Sequence, residues 1–151
     1  LAFMASRAKT ITTALKKGKT VICDRTHLSE RFVFAEVLHE RGDLSSDEFK
    51  LYCELYDLLV DKYWPPFDLI IYVRTDIDEL MKRISERGRE AETRIKESYM
   101  RSLQQKFDDL FINKADTLGC RVVTVDSSDI NFHNLSEVSE FIESVAQLEV
   151  G

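Results

Sequence analysis

Apolar residues recur along the chain in two alternating patterns, one typical of helices and one typical of short buried strands. The first helical pattern joins Met4, Ala8, Ile11 and Leu15 at spacings of three and four residues, and Gly18 follows as a stop signal. Two patterns downstream have polar starts: Ser29 is predicted to cap one helix, and Ser45 with Glu48 has the spacing of a capping box.

Three further helices are predicted from the same periodicity. One begins near Asp76 and ends at Gly88, and a longer one begins near Ile95 and stops near Gly119. The last helical pattern starts near Leu135 and carries apolar residues at Leu135, Val138, Ile142 and Val145. Helices therefore account for most of the chain.

Three short apolar runs, at residues 20–24, 69–73 and 122–125, lie between these helices and are too short to favour a helix. Strands that alternate with helices indicate a parallel sheet joined by crossover connections. We therefore predict an α/β fold with three layers, helix–sheet–helix, around a parallel sheet. Three strands are few for such a sheet, so we expect it to be incomplete.

Length and charge limit the function classes. The 151 residues predict one domain, and the net charge of −6 argues against broad electrostatic capture of nucleic acid or of an anionic membrane. No apolar run approaches the length of a membrane span. The three cysteines are widely spaced, which favours a reduced, cytoplasmic chain, with mitochondria left open; with the histidines they offer no metal-ligand spacing.

The sequence Gly18-Lys19-Thr20 resembles the end of a phosphate-binding loop, but its context argues against that reading. Such a loop follows a strand and begins a helix, so that backbone amides at the helix start can bind phosphate. Here the predicted helix comes first and the strand second, and Thr13 stands where the loop needs its first glycine. We interpret these residues as a helix stop followed by a strand start.

The first chemical candidate is Asp24-Arg25-Thr26, which follows the first predicted strand. Ligands of open α/β sheets bind beyond the carboxyl ends of the strands. A carboxylate there can hold magnesium through water, and an arginine can bind a phosphoryl group. The alternative is an ion pair that only fixes a loop.

The second candidate is the arginine-rich segment from Arg83 to Glu92, and we name residues 83–95 the lid segment. Arg83 and Arg87 share one helix face, where like charges repel unless an anion lies between them, and Arg89 follows Gly88. Such a cluster suits a mobile lid over a triphosphate. The alternative is a solvated helix face, because Glu86, Glu90 and Glu92 are interspersed.

Three motifs in this order resemble the deoxynucleoside kinase family over nearly the whole chain. The segment from Asp24 to Phe34 resembles the family's E/D-R-S motif and the helix after it, residues 68–73 its D-(L/G)-I-I-Y-L strand, and residues 83–92 its lid, R-x-x-x-R-G-R-x-x-E. The resemblance implies a P-loop NTPase-like fold and transfer of the γ-phosphoryl group of ATP to the 5′-hydroxyl of a deoxynucleoside.

The resemblance also implies roles for individual residues. Asp24 is expected to help hold Mg²⁺ through water, and Arg25 to orient the catalytic carboxylate and contact the transferred phosphate. Three arginines are expected to neutralise charge on the phosphoryl oxygens: Arg83, Arg87 and Arg89.

Three further residues are expected to bind the nucleoside. Glu92 is expected to bind the sugar 3′-hydroxyl, while Arg7 and Glu30 fall where the family reads the base. An Arg–Glu pair there is similar to the pair of members that take cytosine or purines. Ala91 departs from the family, which often has an acidic residue at that position.

The family's phosphate-binding loop, catalytic base and base-reading glutamine are expected upstream of Leu1, so we predict an N-terminally incomplete chain that is inactive by itself. Two alternatives stay open: a thymidylate kinase, whose lid fits the R-G-R-x-x-E pattern poorly, and a kinase-like accessory subunit without catalysis. Family members usually dimerise through helices, and the predicted helix from Ser29 to Arg41, with Phe34, Val37 and Leu38, is the predicted homodimer interface.

Overall fold

The computed structural model describes residues 2–92 and 94–148, with the side chains of residues 4–92 and 94–147. These residues form two compact units. Unit 1 comprises the residues up to Phe67 together with Gln105–Leu110, and unit 2 comprises Asp68–Gln104 and the residues from Phe111 onward. The prediction of a single domain over residues 1–151 stays a prediction.

Helix α1 (Ala2–Lys16) begins unit 1 and buries three of the four apolar positions that the spacing predicts, while Leu15 is exposed. Met4, Ala8 and Ile11 are buried. The helix ends in a turn at Gly18, whose amide donates to the Leu15 carbonyl oxygen over 2.9 Å. The predicted helix and its stop are both confirmed.

Residues 20–24 do not form the predicted strand. Among the residues that the structure describes, only two other segments pair as strands, and Ile22 is 96% exposed. β-Branched residues favour an extended backbone, but a strand also needs a neighbour that shares its hydrogen bonds. No described segment supplies that neighbour to residues 20–24. The prediction of three strands is therefore wrong by one.

A helical run follows in unit 1, built from α2 (His27–Ser29), a π-helical turn (Glu30–Phe34) and α3 (Ala35–Glu40). Thr26 caps this run, because its hydroxyl oxygen accepts from the Ser29 amide over 3.2 Å. The predicted cap, Ser29, is wrong by three residues. A serine at the third helical position can complete a capping box, so its side chain gives the same sequence signal as a cap.

This run does not expose the apolar face that was predicted for self-association. Val37 is buried inside unit 1, and the Phe34 ring packs edge-on against the Phe107 ring at 5.8 Å. Leu38 is 38% exposed. Two of the three residues named for the interface from Ser29 to Arg41 therefore have packing partners within unit 1.

Helix α4 (Ser46–Tyr63) begins at the predicted capping box. The Ser45 amide donates to Oε2 of Glu48 over 2.9 Å, and the Glu48 amide donates to the Ser45 hydroxyl oxygen over 3.4 Å. Tyr56 is buried on the inner side of the helix. The outer side carries three leucines that are 56%, 38% and 67% exposed, namely Leu51, Leu55 and Leu58.

Unit 2 contains the sheet, in which β1 (Leu69–Arg74) and β2 (Arg121–Asp126) run parallel. Their register pairs Leu69 with Arg121 and Arg74 with Asp126. Parallel neighbours need a long crossover, and helical segments fill the chain between these two strands. The prediction of an α/β fold with a parallel sheet is confirmed, with two paired strands in the described residues.

The remaining helices are α5 (Ile77–Arg87), α6 (Glu97–Asp108) and α7 (Leu135–Leu148). A 3-10 turn at Glu90–Glu92 lies between α5 and α6, and a π-helical turn at Asp109–Asn113 and a 3-10 turn at Ala115–Thr117 lie between α6 and β2. Helix α5 ends at Gly88, whose φ of 63° lies in the left-handed region that glycine adopts easily. None of the helices in the described residues has the length and apolarity needed to span a bilayer.

Candidate functional site

The four site residues predicted in unit 1 line one open pocket with a volume of about 570 Å³. They are Arg7, Asp24, Arg25 and Glu30. The volume lies within the range of small-molecule sites. Residues from α1, from the turn after residues 20–23 and from the π-helical turn thus come together, although they are far apart in sequence.

Arg7 lies at the centre of the polar contacts in this pocket. Its Nη1 donates to Oε1 of Glu30 over 3.2 Å. Its Nη2 donates to the carbonyl oxygens of Asp24 and Arg25, over 2.6 and 2.9 Å. The predicted Arg7–Glu30 pair therefore forms, and the same guanidinium also holds the backbone beside it.

Arg25 extends from the turn over an aromatic ring. Its guanidinium carbon lies 5.0 Å from the ring centre of Phe34, a cation–π distance that orients the side chain. The Arg25 side chain is exposed and lines the pocket, so its charge is available to an anionic ligand. This arrangement suits binding of a phosphoryl group.

Asp24 is the predicted metal residue, and its exposed carboxylate belongs to the same pocket. In the part of the chain that the structure describes, no three His, Cys, Asp or Glu side chains cluster as a metal-binding set. Mg²⁺ in phosphoryl-transfer sites keeps several waters and binds through one or two carboxylates plus substrate phosphates. Asp24 fits that mode of binding, and it does not form a cage made of protein ligands alone.

His27 is a residue of this region to which the sequence assigned no role of its own. It is buried, and its Nδ1 shares a 2.7 Å hydrogen bond with the Tyr56 hydroxyl. Its ring stacks on Phe67 at 5.2 Å and lies 4.7 Å from Trp64. Burial, and secondly the positive charge of Arg7, lower the pKa of His27 from its usual 6.5 to about 4. His27, which directly follows the Thr26 cap, is therefore a neutral imidazole held in place by Tyr56, Trp64 and Phe67.

A sequence signal for His27 does exist. It directly follows the capping threonine, so it occupies the first helical position, and aromatic residues are concentrated in α4 and the segment after it, at Tyr56, Trp64 and Phe67. Spacing along the chain does not show which of these rings the imidazole meets, because the contacts join residues 29 to 40 positions apart.

The lid segment belongs to unit 2, and there Arg83 behaves differently from the other two predicted arginines. Its Nε donates to Oε1 of Glu79 over 2.9 Å. Its Nη2 donates to three carbonyl oxygens of one loop at 2.8, 3.0 and 2.9 Å, those of Ser127, Ser128 and Ile130. Arg83 thus ties α5 to the loop that follows β2.

We expect Arg83→Ala to lower the free energy of unfolding by about 2 kcal/mol, because three carbonyl oxygens lose a charged hydrogen-bond donor. Urea denaturation measures the change. Lys82→Ala, at the exposed neighbouring position, is the control and should change stability by less than about 0.5 kcal/mol. Equal free energies of unfolding for the two variants would contradict the role of Arg83 in holding the loop after β2.

Arg87 and Arg89 share a carboxylate after the helix end. Oε2 of Glu92 accepts from Nε and Nη2 of Arg87, over 2.9 and 2.6 Å. Oε1 of Glu92 lies 3.6 Å from Nη1 of Arg89. Glu92 therefore relieves the repulsion between Arg87 and Arg89, whereas an anion between Arg83 and Arg87 stays a prediction.

A sequence profile described as deoxynucleoside kinase matches residues 1–148. The chain belongs to the deoxynucleoside kinase family. The match includes every predicted site residue, from Arg7 to Glu92.

Several deoxynucleoside kinases are similar to this chain in sequence. The deoxyadenosine/deoxycytidine kinase of Bacillus subtilis is 29% identical over 107 residues, which is 70% of this chain and 49% of that protein. The deoxyguanosine kinase of B. subtilis is 32% identical over 139 residues, 90% of this chain and 63% of that protein. The chain thus spans about half to three fifths of these relatives.

The similarity also reaches a protein with another name and, at the level of fold, a solved kinase. Subunit 10 of the NADH dehydrogenase 1 alpha subcomplex of Mus musculus is 26% identical over 113 residues, 75% of this chain and 31% of that protein. The structure of deoxyadenosine kinase from M. mycoides with bound dCTP aligns at a TM-score of 0.72 and 20% identity, over 97% of this chain and 70% of that chain. The fold is therefore that of the deoxynucleoside kinases.

Proposed function

We propose that this protein is a deoxynucleoside kinase that transfers the γ-phosphoryl group of ATP to the 5′-hydroxyl of a deoxynucleoside. The observation that supports it most is the single pocket lined by Arg7, Asp24, Arg25 and Glu30. A carboxylate, a phosphate-binding arginine and a polar pair able to recognise a base are the groups that this reaction needs near one another.

Arg25 and Asp24 act at the phosphate end of the substrate in this proposal. The Arg25 guanidinium binds a non-bridging oxygen of the transferred group and stabilises the charge that develops on it. The Asp24 carboxylate holds Mg²⁺ through water, and the bound ion would neutralise charge on the phosphates of ATP. The exposed positions of both side chains in the pocket agree with these roles.

Arg7 and Glu30 read the base in this proposal. A guanidinium offers donors and a carboxylate offers acceptors, so their pair fits an edge that carries both kinds of group. Every base has an edge of this kind, so the preference rests on the family resemblance, in which such a pair is similar to that of members that take cytosine or purines. We therefore propose deoxycytidine or a purine deoxynucleoside as the preferred substrate. The 3.2 Å contact between Arg7 and Glu30 supports a preformed pair.

The lid arginines act on the triphosphate. Arg87 and Arg89 exchange their contacts with Glu92 for phosphoryl oxygens, which releases the Glu92 carboxylate for the sugar 3′-hydroxyl. Arg83, whose donors are directed to the loop after β2, contributes by fixing the start of the lid segment.

The test is an assay of the full-length gene product with ATP, Mg²⁺ and each of four deoxynucleosides. We expect formation of the 5′-monophosphate, with the highest kcat/KM for deoxycytidine or a purine deoxynucleoside. The 151-residue chain contains no G-x-x-x-x-G-K-[ST] sequence and is expected to give no turnover alone. Lack of turnover by the full-length product with all four substrates would overturn the proposal.

The same assay separates the alternatives. Thymidine monophosphate as the only acceptor would indicate a thymidylate kinase. A full-length product without turnover or nucleotide binding would indicate an accessory subunit, which the similarity to the NADH dehydrogenase subunit keeps as a second candidate. The ion pair of Arg7 with Glu30 and the contacts of Glu92 with two arginines favour the enzyme, because they supply the donors and acceptors that substrate recognition needs.

We further propose that the protein forms a homodimer through the leucine stripe of α4, defined as Leu51, Leu55 and Leu58. An antiparallel pairing of two α4 helices that sets Leu51 opposite Leu58 of the second copy also sets Asp47 opposite Lys62 of the second copy. Asp47 and Lys62 are both exposed, so the stripe and the charges at its ends are self-complementary.

Sedimentation velocity tests this interface. We expect the wild-type protein to sediment as a dimer and the Leu51→Glu, Leu58→Glu double variant as a monomer, because four buried carboxylates would face one another without partners. Leu135→Glu, at an exposed leucine of α7, is the control and should remain dimeric. A monomeric wild type, or a dimeric double variant, would remove this interface.

A further inference from the structure

The backbone at Arg25 has an unusual conformation. Its φ is 65°, and in the described residues it is the only residue other than glycine with a positive φ. A side chain in the left-handed region is strained, because its Cβ approaches the following carbonyl oxygen. Contacts around the turn must offset this strain for the conformation to persist.

Arg7 makes the contacts that define this turn. Its Nη2 donates to the carbonyl oxygens of Asp24 and Arg25, over 2.6 and 2.9 Å. These oxygens belong to the two peptide groups on either side of the Arg25 Cα atom. The φ and ψ angles of Arg25 describe how these two planar peptide groups are rotated about the bonds to its Cα atom. One nitrogen that binds both oxygens therefore fixes the orientation of the two groups relative to each other.

The same guanidinium connects this turn to the base-reading position. Nη1 donates to Oε1 of Glu30, and the planar guanidinium holds Nη1 and Nη2 in a fixed relation. Glu30 is the first residue of the π-helical turn, a type of irregularity that is frequent at functional sites. A ligand that shifts the Glu30 carboxylate therefore also moves the group that holds the Arg25 turn.

We propose that Arg7 is a positioning residue for Arg25, and that it links occupation of the base site at Glu30 to the placement of the Arg25 guanidinium. The proposal rests on the proposed function and deepens it. Arg7 then has two effects: it contacts the base, and it holds the Arg25 turn whichever base is bound. The second effect requires its two backbone contacts, which base recognition alone does not explain.

Other contacts hold the residues after Arg25 in place, so the effect of Arg7 is expected to stop at the Arg25 turn. Thr26 is held by its capping contacts with Ser29, and His27 by Tyr56 and the surrounding rings. The chain after Arg25 is thus anchored without Arg7. Loss of Arg7 is expected to release the Arg25 turn while the helical run beyond it keeps its place.

The first test measures the turn directly by nuclear magnetic resonance. In the wild-type protein, a strong nuclear Overhauser effect between the amide and α protons of Arg25 reports the left-handed conformation, because a positive φ brings these two protons close together. We expect Arg7→Gln to lose this signature and Lys9→Gln, at an exposed position of the same helix, to keep it. Arg7→Lys is the second variant in case Arg7→Gln does not fold. It keeps the charge, but one ammonium cannot reproduce the planar fork.

The second test separates positioning from base recognition by kinetics, with deoxycytidine and deoxyadenosine as probes. A misplaced Arg25 lowers kcat by roughly a hundredfold with both nucleosides, since small misplacements of catalytic groups have large effects. A role in base recognition alone would raise KM differently for the two nucleosides and leave kcat unchanged.

The outcomes of the two tests are distinct. An unchanged Arg25 signature in the folded Arg7 variants overturns the positioning proposal, whether or not the protein phosphorylates nucleosides. An unchanged kcat with altered KM also overturns it. A lost signature together with a uniform fall in kcat supports it. If the wild-type protein shows the signature but never turns over a deoxynucleoside, the proposed function fails and the inference, which rests on it, fails as a catalytic statement.

Discussion

Arg25→Gln is expected to lower kcat for deoxynucleoside phosphorylation by roughly a thousandfold, the scale of loss for an arginine that stabilises phosphoryl transfer. Arg25 is exposed and lies in the pocket with its guanidinium over the Phe34 ring. In the proposed reaction its charge would act on oxygens that gain negative charge in the transition state, so the loss is expected to fall on kcat more than on KM. Steady-state kinetics of the full-length gene product measure it.

Two variants make this result specific. Arg41→Gln changes another exposed arginine of unit 1, one that pairs with Asp43, and should keep wild-type kcat. Arg25→Lys keeps the charge but not the two-pronged geometry, and should recover only part of the lost rate. A change in kcat of less than about threefold counts as no effect. If Arg25→Gln changes kcat by no more than that, Arg25 does not contact the transferred group.

The second large effect is a loss of stability on acidification that depends on His27. The pKa of this imidazole is about 4 in the folded protein, against 6.5 for an ordinary histidine, because the ring is buried and lies near the charge of Arg7. The unfolded chain therefore binds a proton between pH 6.5 and 4 that the folded chain does not bind. Each pH unit between the two pKa values changes the free energy of unfolding by about 1.36 kcal/mol. His27 therefore contributes about 3 kcal/mol to the free energy of unfolding above pH 6.5, and this contribution is lost as the pH falls to 4.

Urea denaturation at several pH values between 4 and 7 tests this linkage, with variants that isolate the residue. His27→Phe keeps a ring for the stack on Phe67 and removes the titration, so its stability should depend less steeply on pH than that of the wild type. His133→Gln, at an exposed histidine, should keep the wild-type slope. Parallel curves for the wild type and His27→Phe would contradict the burial of a neutral His27.

Local signals explain what the sequence predicted well. The Ser45–Glu48 capping box, the stop at Gly88 and the strand around residues 69–73 each depend on a few neighbouring residues, and each is confirmed. The family resemblance likewise depended on short motifs whose order is visible in the chain, and the profile match over residues 1–148 confirms it.

The failures share one physical cause, which is that the deciding partner is distant in sequence. Residues 20–24 have strand-like side chains, yet no described segment pairs with them. Ser29 has the composition of a cap, but Thr26 takes that position.

By itself, then, the sequence determined the fold class, the family and the set of charged residues from which a phosphoryl-transfer site can be built. Only the tertiary structure decided how those charges are used: Arg7 binds two carbonyl oxygens beside Arg25, Arg83 binds a loop, and Glu92 bridges Arg87 and Arg89. The reason is that an arginine has the same charge and donors wherever it occurs in a sequence. Which acceptors lie within 3 Å of it depends on segments that folding brings together from far along the chain.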